Sequence, residues 1–150
     1  MRKINNYIDK LDNLRDVPLL LMRLVLAYGF WGPGTKKYEN FEQIIVWFES
    51  LGIPFPTLNA YLATATEIIG AIFLLLGIFT RIISFPLIIV MLVAIFTVHI
   101  EHGFDVNNNG YEIPLYYILM LLTLITLGAG RYSLDYLIST NLDKKSSQKQ

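Results

Sequence analysis

The residues best equipped for chemistry in this chain lie in one polar stretch, Thr97–Pro114 (TVHIEHGFDVNNNGYEIP), and at a few ionisable positions inside long apolar runs. His99 and His102 stand at i, i+3, a spacing that puts both imidazoles on one face of a helix. Glu101 and Glu112 are near in sequence. Imidazole with carboxylate suits zinc, copper, iron or nickel, so His99, His102 and Glu112 are candidate metal ligands. The same rings suit proton transfer, because histidine titrates near neutrality. A plainer reading leaves them as a helix end satisfying backbone carbonyls and headgroups. Asp105–Gly110 (DVNNNG) lacks the spacing of a calcium loop and reads as a turn.

Glu67 lies within an apolar run. Counted from Leu58 at about 1.5 Å per residue, it is roughly 14 Å below the end of that run. A carboxylate at that depth is costly and normally faces a partner or a wet cavity. Arg23 lies roughly 9 Å inside the opposite end of its own run by the same rise; it can reach toward Glu67 or snorkel to the headgroups. Glu67 and His99 are therefore the candidate catalytic residues. Arg23, Lys36, His102, Tyr111 and Glu112 are the candidate substrate-binding ones. The alternative for Glu67 is a structural ion pair or a carboxyl kept neutral by burial. Lys36 and Lys37 serve equally as headgroup anchors.

The elements that must position these groups read as membrane helices. The chain has 150 residues, 54% hydrophobic and 16% charged, where an average soluble protein has about 45–50% and 25%. The predicted fold is an all-α four-transmembrane-helix bundle. Residues 1–16 form an N-terminal amphipathic surface helix, with Ile4, Ile8, Leu11 and Leu14 at helical spacing. Residues 17–140 form the membrane domain, with spans at about 17–32, 58–79, 82–100 and 113–130. Tyr28 and Trp31 suit an aromatic belt. Between the first two spans, Phe41, Ile44, Ile45, Phe48 and Leu51 make one apolar face of a short interfacial or re-entrant helix. Thr80–Arg81 makes a tight turn, Ser133 caps a last turn, SLDYLI, and 141–150 is a disordered cytoplasmic tail.

Basic residues divide nine against two between the two sets of links, which predicts both termini in the cytoplasm and Thr97–Pro114 facing out. A net charge of zero gives no footprint for nucleic acid, and the absence of cysteine excludes disulfides, thiolate metal sites and dithiol redox chemistry by this chain alone.

Several motifs, in order, resemble the DoxX family of small bacterial integral membrane proteins. They are RLVLAYGF with GPGTK (Gly32–Lys36), WFESLGIPFP (Trp47–Pro56), ATEIIG, LGIFTR (Leu76–Arg81), VHIEHGF (Val98–Phe104), GYEIP (Gly110–Pro114) and GAGRYSLD (Gly128–Asp135). The resemblance covers about Pro18 to Asp135. It implies a four-helix bundle in the bacterial plasma (inner) membrane. It also implies an association with redox work, in which other membrane subunits carry the electrons, or with the maturation of metal-binding peptides.

Two functional readings follow. In the first, this is a redox-associated membrane protein, a subunit of a larger system. Its outer-facing polar pocket is built from Glu67, His99, His102 and Glu112, floored by Arg23 and lined by Tyr28, Tyr61, Phe96, Tyr116 and Tyr117. Such a pocket handles a small molecule, a quinone headgroup or a transition metal ion. In the second, the protein is a non-catalytic scaffold or small-solute carrier whose buried polar groups specify helix pairing. No dinucleotide-binding glycine loop is present.

Overall fold

The computed structural model describes the backbone of residues 14–147 and the side chains of 14–141. The amphipathic segment predicted for 1–16 falls, apart from its last three residues, outside the described residues. The described chain is helical and contains no strand. Helix α1 is Asp16–Glu39, α2 Phe41–Ser50, α3 Pro56–Leu76, α4 Thr80–Ala94, α5 Glu112–Leu127 and α6 Leu134–Ser147. Helix α4 continues through a π turn, Ile95–His99, and a 3-10 turn, Ile100–His102.

Three helical stretches are long and apolar enough to cross a membrane: Asp16–Glu39, Pro56–Leu76 and Thr80–His102. Helix α5 is equally apolar but has 16 residues, roughly 24 Å of rise against a hydrocarbon core of about 30 Å. The long helices run antiparallel in sequence order. Gly34 of α1 packs on Glu67 and Ile68 of α3, while Arg23 bonds to Leu74. Gly70 of α3 meets Leu87 of α4, and Arg81 at the start of α4 bonds to Thr126 near the end of α5. One end of the bundle, here the lower, thus holds the start of α1, the α3–α4 turn and the start of α6. The upper end holds α2 and the loop 103–111.

A core of Leu19, Leu26, Ala27, Phe30, Ala71, Leu74, Leu87, Leu121 and Leu124 sits between α1, α3, α4 and α5. Leu21, Val25, Ile82, Ile89 and Phe96 stay exposed on the outer faces. In water such a surface would aggregate; in a bilayer it is the solvent-matched side.

Two boundaries differ from the sequence reading. Helix α1 runs through Pro33 to Glu39 instead of ending at Gly32. Residue i−4 to Pro33 is Gly29, and the Thr35 hydroxyl donates to the carbonyls of Trp31 and Gly32 in that turn. Hydroxyls of this kind are how apolar helices tolerate an internal proline. Beyond Ser133, which accepts from the Tyr136 N–H as the predicted cap, α6 continues to Ser147 rather than stopping after one turn. Leu and Lys in 141–147 propagate a helix cheaply once it is nucleated, so the predicted tail is helical over those residues. The turn before α4 is made by Gly77–Phe79, and Thr80 already belongs to the helix. The amphipathic reading of α2 holds: Phe48 is buried and Phe41, Ile44 and Ile45 half-buried, with the Phe41 ring 4.3 Å from that of Tyr61.

Candidate functional site

Glu67 is 1% exposed, on the face of α3 that packs against α1. Its partner is Lys37, whose Nζ forms an ion pair with Oε1. Gly34 makes this approach possible: a Cβ there would stand 3.1 Å from the Glu67 Cβ and 3.3 Å from the Ile68 nitrogen. Gly34 and Lys37 are i, i+3 on α1, so one residue supplies closeness and the other charge on a single helix face. Thr64 lies one turn from Glu67 on the same face of α3. Its Oγ1 and the second carboxylate oxygen, Glu67 Oε2, are both buried without a hydrogen-bond partner. The Lys37 side chain is 18% exposed, so the pair has one edge to the surface. An ammonium, a carboxylate with a free oxygen and a free hydroxyl make a small donor–acceptor set that can hold a polar group and exchange a proton with it.

Arg23 is equally buried but elsewhere. Its Nε donates to the Leu74 carbonyl at 2.9 Å, Nη1 to Ala129 at 2.9 Å and Tyr132 at 2.8 Å, and Nη2 to Leu75 at 3.1 Å. Leu74 and Leu75 lie in the last turn of α3, where the Leu74 carbonyl also accepts from the Gly77 N–H at 3.3 Å and a cation complements the helix dipole. Seven residues of α3, roughly 10 Å of rise, separate Leu74 from Glu67, so Arg23 is not the partner of Glu67. Asp135 completes this lower junction: its oxygens accept from the N–H groups of Phe79 at 2.8 Å and Thr80 at 3.0 Å, capping α4 from another element.

The histidine cluster is dispersed into loop contacts. His99 donates its Nδ1 proton to the Asn109 carbonyl at 2.6 Å, and His102 donates from Nδ1 to Val98 at 2.9 Å. A carbonyl only accepts, so Nδ1 is the donor in both. Glu112 accepts from the Val106 N–H at 3.2 Å and the Tyr116 hydroxyl at 3.0 Å. Among the described residues no three His, Cys, Asp or Glu side chains are grouped to hold a metal ion. The expected His99–His102–Glu112 ligand set is therefore not assembled: each side chain closes a different part of the loop. Tyr111 is half-buried with its ring 5.6 Å from Phe104, and Lys36 is exposed. Of the aromatics expected to line a pocket, Tyr28, Tyr61 and Phe96 point outward, while Tyr117 packs edge-on against Phe30 at 5.4 Å.

Sequence reasoning thus placed Glu67 inside the bundle but did not pair it with Lys37, because ending the first helix at Gly32 removed that lysine from the face of α3. The Gly34–Thr–Lys–Lys37 spacing was the available signal.

Compared with known families, residues 18–100 match the DoxX model. The chain belongs to the DoxX family. The matched stretch carries α1 to α4, with Arg23 and the Lys37–Glu67 pair on it. An uncharacterized protein of Haemophilus influenzae is 36% identical over 138 residues, covering 87% of this DoxX chain and 89% of that protein. The Bacillus subtilis protein named "Putative oxidoreductase CatD" is 30% identical over 112 residues, 75% of this chain and 78% of its own. An uncharacterized membrane protein of Mycobacterium tuberculosis is 30% identical over 132 residues, 81% of each chain. No solved structure matches this DoxX protein. The family and the apolar helices make it a protein of the lipid bilayer.

Proposed function

We propose that this DoxX protein is a redox-associated membrane subunit that binds a small polar group, of the quinone-headgroup class, at the Lys37–Glu67 pair. It crosses the bacterial inner membrane four times, α5 being the shortest span, with both termini cytoplasmic. The observation that carries the reading is the buried pair of unpartnered acceptors, Glu67 Oε2 and Thr64 Oγ1, beside a lysine ammonium. Polar atoms left open at that depth are expensive unless something meets them. A quinone presents carbonyl oxygens for Lys37 and, once reduced, hydroxyls for Glu67 and Thr64. Its reduction takes two electrons and two protons. This cysteine-free chain has no dithiol to carry the electrons, so they come from a partner subunit, and Lys37 and Glu67 handle protons. The name of the Bacillus relative supports redox work in the family. In this reading His99, His102 and Glu112 fasten the upper loop.

The test is titration of the purified protein with a short-chain quinone, followed by quenching of its two tryptophans, Trp31 and Trp47. Saturable quenching that Glu67→Gln abolishes, with helix content unchanged, is the expected result. Equal binding by wild type and Glu67→Gln overturns the site and leaves the scaffold reading, in which Glu67 only pairs helices.

A further inference from the structure

The lower end of the bundle holds a crevice of about 950 Å³, walled by Arg15, Arg81 and Arg131 and flanked by Phe79, Ile82 and Leu127. Two carboxylates reach it, and both are engaged. Asp135 accepts from the Phe79 and Thr80 N–H groups. Asp16 accepts from the Arg131 N–H at 3.0 Å and pairs with its Nε at 3.4 Å. Among the described residues Arg15 and Arg81 have no carboxylate partner. Arg81 makes one long bond, Nη2 to the Thr126 carbonyl at 3.4 Å, and it lies against Gly128, where a Cβ would meet Nη2 at 3.3 Å. Gly128 has φ +83°, a conformation that glycine adopts without steric cost, and its missing side chain leaves room for the guanidinium.

The crevice therefore joins two guanidinium groups that lack a carboxylate partner among the described residues to an apolar flank. Phe79 is 54% and Ile82 66% exposed, continuing from the crevice onto the outer apolar face of the bundle. A free anion would use the first feature and leave the second idle. A phospholipid uses both, because its phosphate takes the planar Arg fork and its chains run along the side of the helices. We propose that this crevice is a binding site for one anionic phospholipid, with the phosphate on Arg15 and Arg81 and an acyl chain against Phe79, Ile82 and Leu127. The site is separate from Lys37 and Glu67, so it stands whether or not a quinone binds there.

Native mass spectrometry of the full chain, released from detergent with either phosphatidylglycerol or phosphatidylethanolamine, tests this directly. Retention of phosphatidylglycerol above phosphatidylethanolamine is expected. Arg15→Gln and Arg81→Gln should each weaken it roughly fivefold, the effect of one basic residue near an anionic surface. Arg81→Lys should weaken it less than Arg81→Gln, and thermal stability in detergent should hold for all three variants. Equal retention of the two lipids overturns the proposal, as does a double glutamine variant that keeps the wild-type preference. Displacement of the lipid by inorganic phosphate at the same concentration also overturns it, since a soluble anion would then be the natural occupant.

Discussion

At Glu67 a buried carboxylate is paired with the Lys37 ammonium. Removing one partner strands the other at membrane depth, so Glu67→Gln alone should destabilise the protein by about 3 kcal/mol, the usual scale for a broken buried pair. The double variant Lys37→Met with Glu67→Gln should recover most of that stability, because neither charge remains. Thermal unfolding in detergent separates the outcomes: a double variant no more stable than Glu67→Gln would mean the two side chains are not coupled. Arg23 makes a different kind of demand. Its four bonds go to four carbonyls on α3 and the 129–132 turn, a pattern that needs a planar fork. A lysine ammonium has three donors radiating from one atom. Arg23→Lys should therefore lose about 2–3 kcal/mol by leaving at least one buried carbonyl unmet, read as a lower unfolding temperature with the pair at Glu67 intact.

The helices are held at these distances by glycines and by caps borrowed from other elements. Gly34 brings α1 onto α3, and a larger residue there has to push against the α3 backbone at Ile68. Gly34→Val should cost about 1–3 kcal/mol as overpacking and draw Lys37 away from Glu67. Its quinone affinity should then fall even where the protein still assembles; unchanged affinity would show that the α1–α3 spacing does not set the site. Gly77 is under tighter constraint, with φ +66° and an added Cβ only 2.5 Å from the Arg23 guanidinium carbon. Phe79, at φ 47°, is strained for a bulky side chain. Asp135 offsets that strain by taking the Phe79 and Thr80 N–H groups together. Asp135→Asn removes the charge and leaves one neutral acceptor for two N–H groups at the start of α4, and should cost about 1 kcal/mol, the usual scale of a lost cap.

Across the whole molecule, the antiparallel succession of α1, α3, α4 and α5 returns the chain to its starting end before α6. With nine basic residues on one set of links and two on the other, the proposed arrangement keeps both termini inside. Reporter fusions placed after Asp105 and after Asp143 should therefore report opposite compartments. The same compartment at both positions would mean that α5, at 16 residues, does not cross.

Much of this protein was legible in its sequence because a bilayer leaves little choice. Backbone polar groups in hydrocarbon must bond within their own helix, so apolar runs of the right length are helices, and period and composition alone locate α1, α3, α4 and α5. Burial of Glu67 was readable for the same reason: a carboxylate inside such a run has to turn inward. Arg23, closer to the end of its run, was left between reaching inward and snorkelling to the headgroups. Their partners were not readable. Whether Arg23 meets Glu67 or the end of α3, and whether Lys36 or Lys37 faces the carboxylate, depends on where α1 ends. Thr35 and the glycines around Pro33 decide that locally, but only contact with α3 turns it into a site. Likewise, nearness in sequence suggested that His99, His102 and Glu112 would converge. The turn through Gly103 instead gives each a separate backbone or hydroxyl partner, because a tight loop satisfies its own polar groups before side chains meet across it.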